Sequence, residues 1–296
     1  MINNRIELTI EDHIAHVKLS RADKMNALDS EMFAAIPMVG EQIRQDKRVR
    51  AVVLSGDGGN FCAGLDKSNF TSILGKQGVA IDDKQGVAID DKQGVAIDDK
   101  QGVTIDDEKP AMVLADRTHG MSNALQYVVW MWRELPMPVL AAIEGFALGG
   151  GLQIALGADM RYATANSQFS ILEMRWGIVP DMGSTQIMRH LVADDVIREL
   201  TYTAKIFSAQ EAKKWGFITD IVDDPLAHAM KVAEQISLKN PDAIRASKKI
   251  LESNNYQTAA EGLLMESVEQ DKIMGKPNQI EAVMSELQKR KPNFID

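Results

Sequence analysis

The first residues of the chain alternate between polar and apolar positions. Ile6, Leu8 and Ile10 share one phase, and after a turn at Glu11-Asp12 either Ile14 and His16 or Ala15, Val17 and Leu19 resume it. A period of two predicts a pair of short strands. The period then changes. Asp29-Ser30 has the chemistry of a helix cap, and Met32, Ala35, Ile36, Val39 and Ile43 recur at helical spacing, predicting a helix to about Gln45. Pro37 lies inside this pattern, where its missing N–H allows a kink or an early break. Arg50 to Ser55 is short and nearly all apolar, as expected for a strand buried on both faces.

Further along, helical periodicity over about 112–134 is stopped by Pro136 and Pro138. A second buried strand is predicted over 139–144, an apolar helix over 149–156 and a strand over 160–163. Beyond Asp223 the pattern is helical, with helices expected at 225–237, 241–253, 256–270 and 277–290. Short strands alternating with helices, then a helical tail, predict an α/β fold with a core at 1–222 and a C-terminal helical region at 223–296. One segment breaks the pattern. The octad Lys-Gln-Gly-Val-Ala-Ile-Asp-Asp stands in tandem at 76–83, 84–91, 92–99 and 100–107, with Thr104 the one change. Each octad offers only Val, Ala (or Thr) and Ile as apolar groups, so a duplicated surface loop inserted at 76–107 is a better reading than a stacked solenoid.

Composition narrows the classes. Of 296 residues, 45% are hydrophobic and 25% charged, which suits a globular chain with a sizeable core. Lys plus Arg is 33 against 42 for Asp plus Glu, a net charge of -9 that argues against non-specific nucleic-acid binding. Cys62 is the single cysteine, which excludes an intrachain disulfide and a thiolate zinc site. His13, His16, His119, His190 and His228 fall in no metal-ligand spacing, so no metal is expected. Residues 1–11 read as a strand rather than a signal peptide, and no apolar run reaches the roughly 18 to 20 residues a membrane helix needs. A cytoplasmic protein with no membrane contact is expected.

Candidate chemistry gathers at two strand-to-helix turns, Phe61-Cys62-Ala63-Gly64-Leu65-Asp66 and Phe146-Ala147-Leu148-Gly149-Gly150-Gly151-Leu152-Gln153. Three glycines opening a helix leave its first N–H groups accessible to a ligand oxygen, and the helix start adds partial positive charge. The same glycines serve equally well for tight packing of helix on strand. The turn is not a phosphate loop, since no Gly-Lys-Ser/Thr follows. A third segment, Phe169-Ser170-Ile171-Leu172-Glu173-Met174-Arg175-Trp176-Gly177-Ile178-Val179-Pro180-Asp181-Met182-Gly183-Ser184-Thr185-Gln186, carries two acids between apolar residues.

These three segments, in this order, together with Arg21-Ala22-Asp23-Lys24-Met25-Asn26-Ala27-Leu28, resemble the crotonase (enoyl-CoA hydratase/isomerase) superfamily over essentially the whole chain except the octads. The resemblance implies a crotonase-like core of repeated ββα units, C-terminal helices that build a trimer or hexamer, and an acyl-coenzyme A substrate with no separate cofactor. It places the N–H groups of Leu65 and Gly150 in an oxyanion hole, and Lys24, Ala27, Ala63 and Asp66 against coenzyme A. Two preorganised N–H donors suit the negative charge that builds on a thioester oxygen when an adjacent proton leaves.

The acid/base positions follow residue by residue. The family's hydratases carry a glutamate three residues after the second glycine of the triplet; here that position is Gln153, which cannot exchange protons but can orient substrate or water. Glu173 matches the second glutamate, and Asp181 matches a position that is acidic in dienoyl-CoA isomerases. As a pair, Glu173 and Asp181 would shuttle a proton across a conjugated chain. Glu173 read by itself is a loop acid, and Asp181 after Pro180 suits a turn or helix cap. Cys62 and the Met131-Trp132-Arg133 stretch read as packing residues; Trp176 is a candidate for the acyl pocket. Lys248 and Lys249 suit a solvated helix face, although some relatives place basic residues there near the nucleotide. Isomerisation of an enoyl- or dienoyl-CoA is the leading expectation. Hydration of an enoyl-CoA and a non-catalytic acyl-CoA-binding protein are the alternatives.

Overall fold

Asp12 and His13 both have positive φ, 46° and 67°, and this two-residue turn closes a β-hairpin. The hairpin joins β1 (Ile6–Glu11) and β2 (Ile14–Leu19), antiparallel from Ile6 opposite Leu19 to Glu11 opposite Ile14. In β2 the phase Ala15, Val17 and Leu19 faces the main core, while Ile14 joins a second cluster. His16, on the opposite phase, hydrogen-bonds the Ser55 hydroxyl through Nε2 at 2.8 Å. The computed structural model describes residues 1–66 and 114–296, so the octads at 76–107 lie outside the described residues.

The later strands are β3 (Ala51–Gly56), β4 (Val139–Ile143), β5 (Phe146–Leu148), β6 (Met160–Ala163), β7 (Gln168–Ser170), β8 (Phe207–Ser208) and β9 (Asp220–Ile221). A six-stranded sheet has the order β1-β2-β3-β4-β6-β9, parallel from β2 onward. The second sheet has the order β5-β7-β8. Successive strand pairs therefore divide between two sheets: β4 then β5, β6 then β7. An isolated bridge from Cys62 to Ala147 adds the segment after β3 to the second sheet. This is the repeated ββα arrangement expected.

The helices are α1 (Ser30–Gln45), α2 (Ala124–Glu134), α3 (Gly150–Gly157), α4 (Ser184–Met188), α5 (Asp194–Thr203), α6 (Ala209–Trp215), α7 (Pro225–Ser237), α8 (Pro241–Ser253), α9 (Ala259–Ile273) and α10 (Pro277–Leu287). The Asp29 side chain caps α1 by accepting the Met32 N–H at 2.9 Å. Pro37 lies within α1, which continues to Gln45, because one missing hydrogen bond does not outweigh the burial of Ile36, Val39 and Ile43.

Alternation through the large sheet shows why its strands read as unbroken apolar runs. Val52 and Leu54 of β3, with Val139, Ala141 and Ile143 of β4, enter the main core. Ala51 and Val53, with Leu140 and Ala142, enter the second cluster, where Ala229 and Ala233 of α7 cover them. The boundary expected after Val222 falls just before α7, and α7 shares this cluster with the sheet.

Two helix starts differ from the periodicity. The helix expected from about 112 begins at Ala124; of its expected first turns, 112 and 113 lie outside the described residues, and 114–123 form turns and bends. Gly120 has φ 62°, and Asn123 and Gln126 exchange reciprocal side-chain-to-backbone bonds, so a capping box sets the start. Likewise Thr258 and Glu261 form a capping box that starts α9 at Ala259 rather than 256.

Candidate active site

The segment 61–66 is stitched to its neighbours on both sides. Cys62 donates its N–H to Phe146 O at 2.9 Å and accepts from Leu148 N–H at 3.0 Å. On the other side Leu28 donates to Gly64 O at 2.8 Å, and Asp66 donates to Leu28 O at 3.0 Å. In a parallel bridge of this kind Leu28 bonds the residues flanking Leu65, so the Leu65 N–H points away from Leu28. Among the described residues, neither Leu65 N–H nor Gly150 N–H has a hydrogen-bond partner. Both are donors left open by their turns.

Two glycines let the turns approach. Gly64 has φ 88°, and a Cβ there would lie 2.6 Å from Leu148 O and 3.5 Å from Gly150 N. A Cβ on Gly151 would overlap the Cys62 carbonyl oxygen. The Leu65 turn and the Gly150 helix start are thus adjacent because neither Gly64 nor Gly151 carries a side chain.

Glu173 begins a single 3-10 turn, Glu173–Trp176, and is 6% exposed. Its Oε1 lies 3.5 Å from where a Cβ of Gly149 would stand, which brings the carboxylate beside the glycine triplet. Oε1 accepts from Gln153 Nε2 at 2.6 Å, whereas Oε2 is buried with no hydrogen-bond partner. Burial pushes the Glu173 carboxyl above the usual carboxylate range, and the charge of Asp181 pushes the same way. The Gln153 amide and the backbone N–H groups of Glu173 and Leu172 offset part of this. Asp181 is half-buried after Pro180, and burial raises its carboxyl too. The structure thus brings Glu173 and Asp181 into one electrostatic neighbourhood.

Gln153, 3% exposed on the fully buried helix α3, is engaged at both ends of its amide. Its Oε1 accepts from Met182 N–H at 3.1 Å, Ser184 N–H at 3.4 Å and Ser184 Oγ at 2.8 Å. Ser184 is a site residue that the sequence reading missed. The available signal was Gln153 itself: a buried amide needs polar partners, and Ser184 is one of three hydroxyl residues, with Ser170 and Thr185, within the third motif.

The segments that carry the residues expected at coenzyme A, 21–28 and 61–66, are hydrogen-bonded to each other. Ala63 donates its N–H to Met25 O at 2.9 Å, in the turn that holds exposed Lys24. Arg21 reaches from that turn to Ala27 O at 3.0 Å and Asp66 Oδ2 at 2.5 Å. Arg21, quoted in its motif without an assigned role, joins two of the expected segments, 21–28 and 61–66. Lys248, expected on a solvated face, is instead 7% exposed and inserted between α8 and the core. The carbonyls of Trp132 and Met137 and the Asp159 carboxylate supply acceptors there, which is what allows a lysine to be buried. Cys62 is buried and its thiol is pushed up to about 12 by burial, the state of a packing residue rather than a nucleophile. Met131 and Trp132 are buried core residues, while Trp176 is 44% exposed beside Glu173.

With this geometry in place, the chain belongs to the enoyl-CoA hydratase/isomerase family, whose sequence profile matches residues 9–83 and 111–296. It is an enzyme of the crotonase superfamily. The match resumes at 111, after the second, third and fourth octads. Among its relatives, "Probable enoyl-CoA hydratase 2, mitochondrial" of Arabidopsis thaliana is 30% identical over 95% of this chain and 81% of its own length. The peroxisomal Delta(3,5)-Delta(2,4)-dienoyl-CoA isomerase of the same plant is 25% identical over 98% and 95%. In fold, the chain is similar to the crystal structure of enoyl-CoA hydratase from Bacillus anthracis, at 23% identity, 98% coverage of each chain and TM-score 0.76. Among the described residues no helix is long and apolar enough to cross a membrane.

Proposed function

We propose that the protein moves a double bond along an enoyl- or dienoyl-CoA by proton transfer between Glu173 and Asp181. The carrying observation is the side chain after the glycine triplet: Gln153 is an amide, already bonded at both ends, next to a pair of acids whose burial favours their protonated forms. In this reading the thioester oxygen lies between the Leu65 and Gly150 N–H groups. Ionised Glu173 takes a proton from the carbon beside the thioester. The electron pair of that C–H bond delocalises along the conjugated chain and onto the thioester oxygen, where the two N–H donors stabilise it. Protonated Asp181 then delivers a proton to the far end of the conjugated system, and proton exchange with solvent returns Glu173 to its ionised and Asp181 to its protonated state. Two carboxyls in different surroundings, one buried against the Gln153 amide and the other half-buried, can hold opposite states at one pH.

The name of the 30% identical plant relative favours a second reading, addition of water to a 2-enoyl-CoA. Water activation would then fall to Glu173 alone. Parallel assays separate the two: 3-enoyl-CoA and 3,5-dienoyl-CoA for isomerisation, crotonyl-CoA for loss of the conjugated enoyl absorbance. Isomerisation is expected to be the faster reaction. Rapid hydration with no isomerisation would overturn the proposal.

The reading extends to self-association as a trimer or hexamer. Its support is the apolar surface of the last two helices, where Leu263, Leu264 and Val268 on α9 and Ile280, Val283 and Met284 on α10 are exposed.

A further inference from the structure

We infer that Gln153 is a positioning residue, a neutral strut that holds Glu173 and the Asp181–Met182 peptide in one register and leaves Oε2 of Glu173 as the oxygen that meets the substrate. This rests on the reading that Glu173 is the base, and goes beyond it by assigning which oxygen acts and what keeps it there.

Three donors converge on one end of the Gln153 amide: the N–H groups of Met182 and Ser184 and the Ser184 hydroxyl. That end must be the oxygen, so the nitrogen is the atom facing Glu173 Oε1 at 2.6 Å. One side chain on α3 therefore ties together the turn carrying Glu173 and the peptide following Asp181. Rotation of the Glu173 carboxylate is blocked, because exchanging its oxygens would first break the bond to Gln153. Oε2 stays buried without a partner, a costly state for a carboxylate oxygen and the one suited to a base awaiting a C–H proton.

Neutrality is part of the role. A glutamate at 153 would set two carboxylates in hydrogen-bond contact. The three donors on its inner oxygen would settle the negative charge at 153, leaving the shared proton on Glu173. The amide keeps the anchoring bonds while leaving Glu173 free to ionise.

The test is steady-state kinetics of Gln153→Met and Gln153→Glu across pH, on whichever acyl-CoA the wild-type protein turns over. Gln153→Met keeps the volume but loses the bonds, and is expected to lower kcat about 100-fold with KM little changed. Gln153→Glu is expected to move the rising limb of kcat/KM to higher pH, lowering activity about tenfold on that limb. Wild-type kcat in Gln153→Met, or a Gln153→Glu profile superimposed on the wild-type one, overturns the assignment. If Gln153→Met does not fold, the Gln153→Glu profile decides alone. Failure of the isomerase reading would show instead as absent wild-type turnover of both 3-enoyl-CoA and 3,5-dienoyl-CoA, and the strut would then be tested on crotonyl-CoA.

Discussion

Gln153 Nε2 donates to Glu173 Oε1 at 2.6 Å, although the two residues lie 20 positions apart and on different elements. The bond places a neutral donor against a buried acid, and leaves that acid with one occupied oxygen and one without a partner.

Replacing the acid separates chemistry from stability. Glu173→Gln is expected to lower kcat/KM by about 10²- to 10⁴-fold on the preferred acyl-CoA, the range of a lost general base. Its stability should move the other way. Burial raises the folded-state pKa of Glu173 above its unfolded value, so the native state holds the proton more tightly. The Glu173 contribution to stability is therefore fully present below the unfolded pKa and is lost as pH rises through the folded one. Thermal unfolding should show a higher Tm for Glu173→Gln than for wild type at neutral pH, with the gap closing towards about pH 4. Equal Tm values at neutral pH would contradict the burial penalty.

The same raised pKa governs activity. The rising limb of kcat/KM should lie above the ordinary carboxylate range of roughly 4, because Glu173 must ionise to accept a proton and burial resists that. A pH profile already flat by pH 5 would exclude Glu173 as the base.

Backbone and side chain should separate at the 64–65 turn. Leu65→Ala retains the peptide N–H and should change kcat by no more than a few-fold. Gly64→Ala must place a Cβ 2.6 Å from Leu148 O at φ 88°. Displacing one open N–H donor is expected to cost about 10²- to 10³-fold in kcat. Comparable kcat losses in the two variants would show that the side chain, not the backbone, matters at this turn.

Lys248 predicts a stability effect remote from the chemistry. Its Nζ donates to Trp132 O at 3.0 Å, Met137 O at 2.9 Å and Asp159 Oδ2 at 2.9 Å. Lys248→Met leaves two carbonyls and a carboxylate without their cation, and chemical denaturation should report a loss of about 3 kcal/mol. A loss well under 1 kcal/mol would mean that water replaces the ammonium.

Light scattering on the purified chain checks the association. A mass three or six times the 32.6 kDa of one chain is expected. A monomer at micromolar concentration would rule it out.

Much of this was legible along the chain. Period-two alternation marks β1 and β2, and the runs that became β3 and β4 are almost wholly apolar because both sheet faces are covered. The glycine turns are equally visible, since positive φ and close backbone approach demand glycine locally. The helix start misplaced at about 112 shows the limit: apolar spacing upstream of Ala124 does not reveal that Asn123 and Gln126 will form a capping box.

The sequence by itself determined which groups are present: two open turns, an amide at 153, acids at 173 and 181, and a family resemblance carried by those motifs. Tertiary structure alone decided how they are joined. That Gln153 would be held by Ser184 and Met182, that Glu173 would keep one oxygen without a partner, and that Lys248 would leave the surface for three acceptors all depend on contacts between residues 20 to 116 positions apart. Local periodicity reflects the burial of one face of an element. Which polar atoms then meet inside is settled only when several elements pack and every buried donor must find an acceptor.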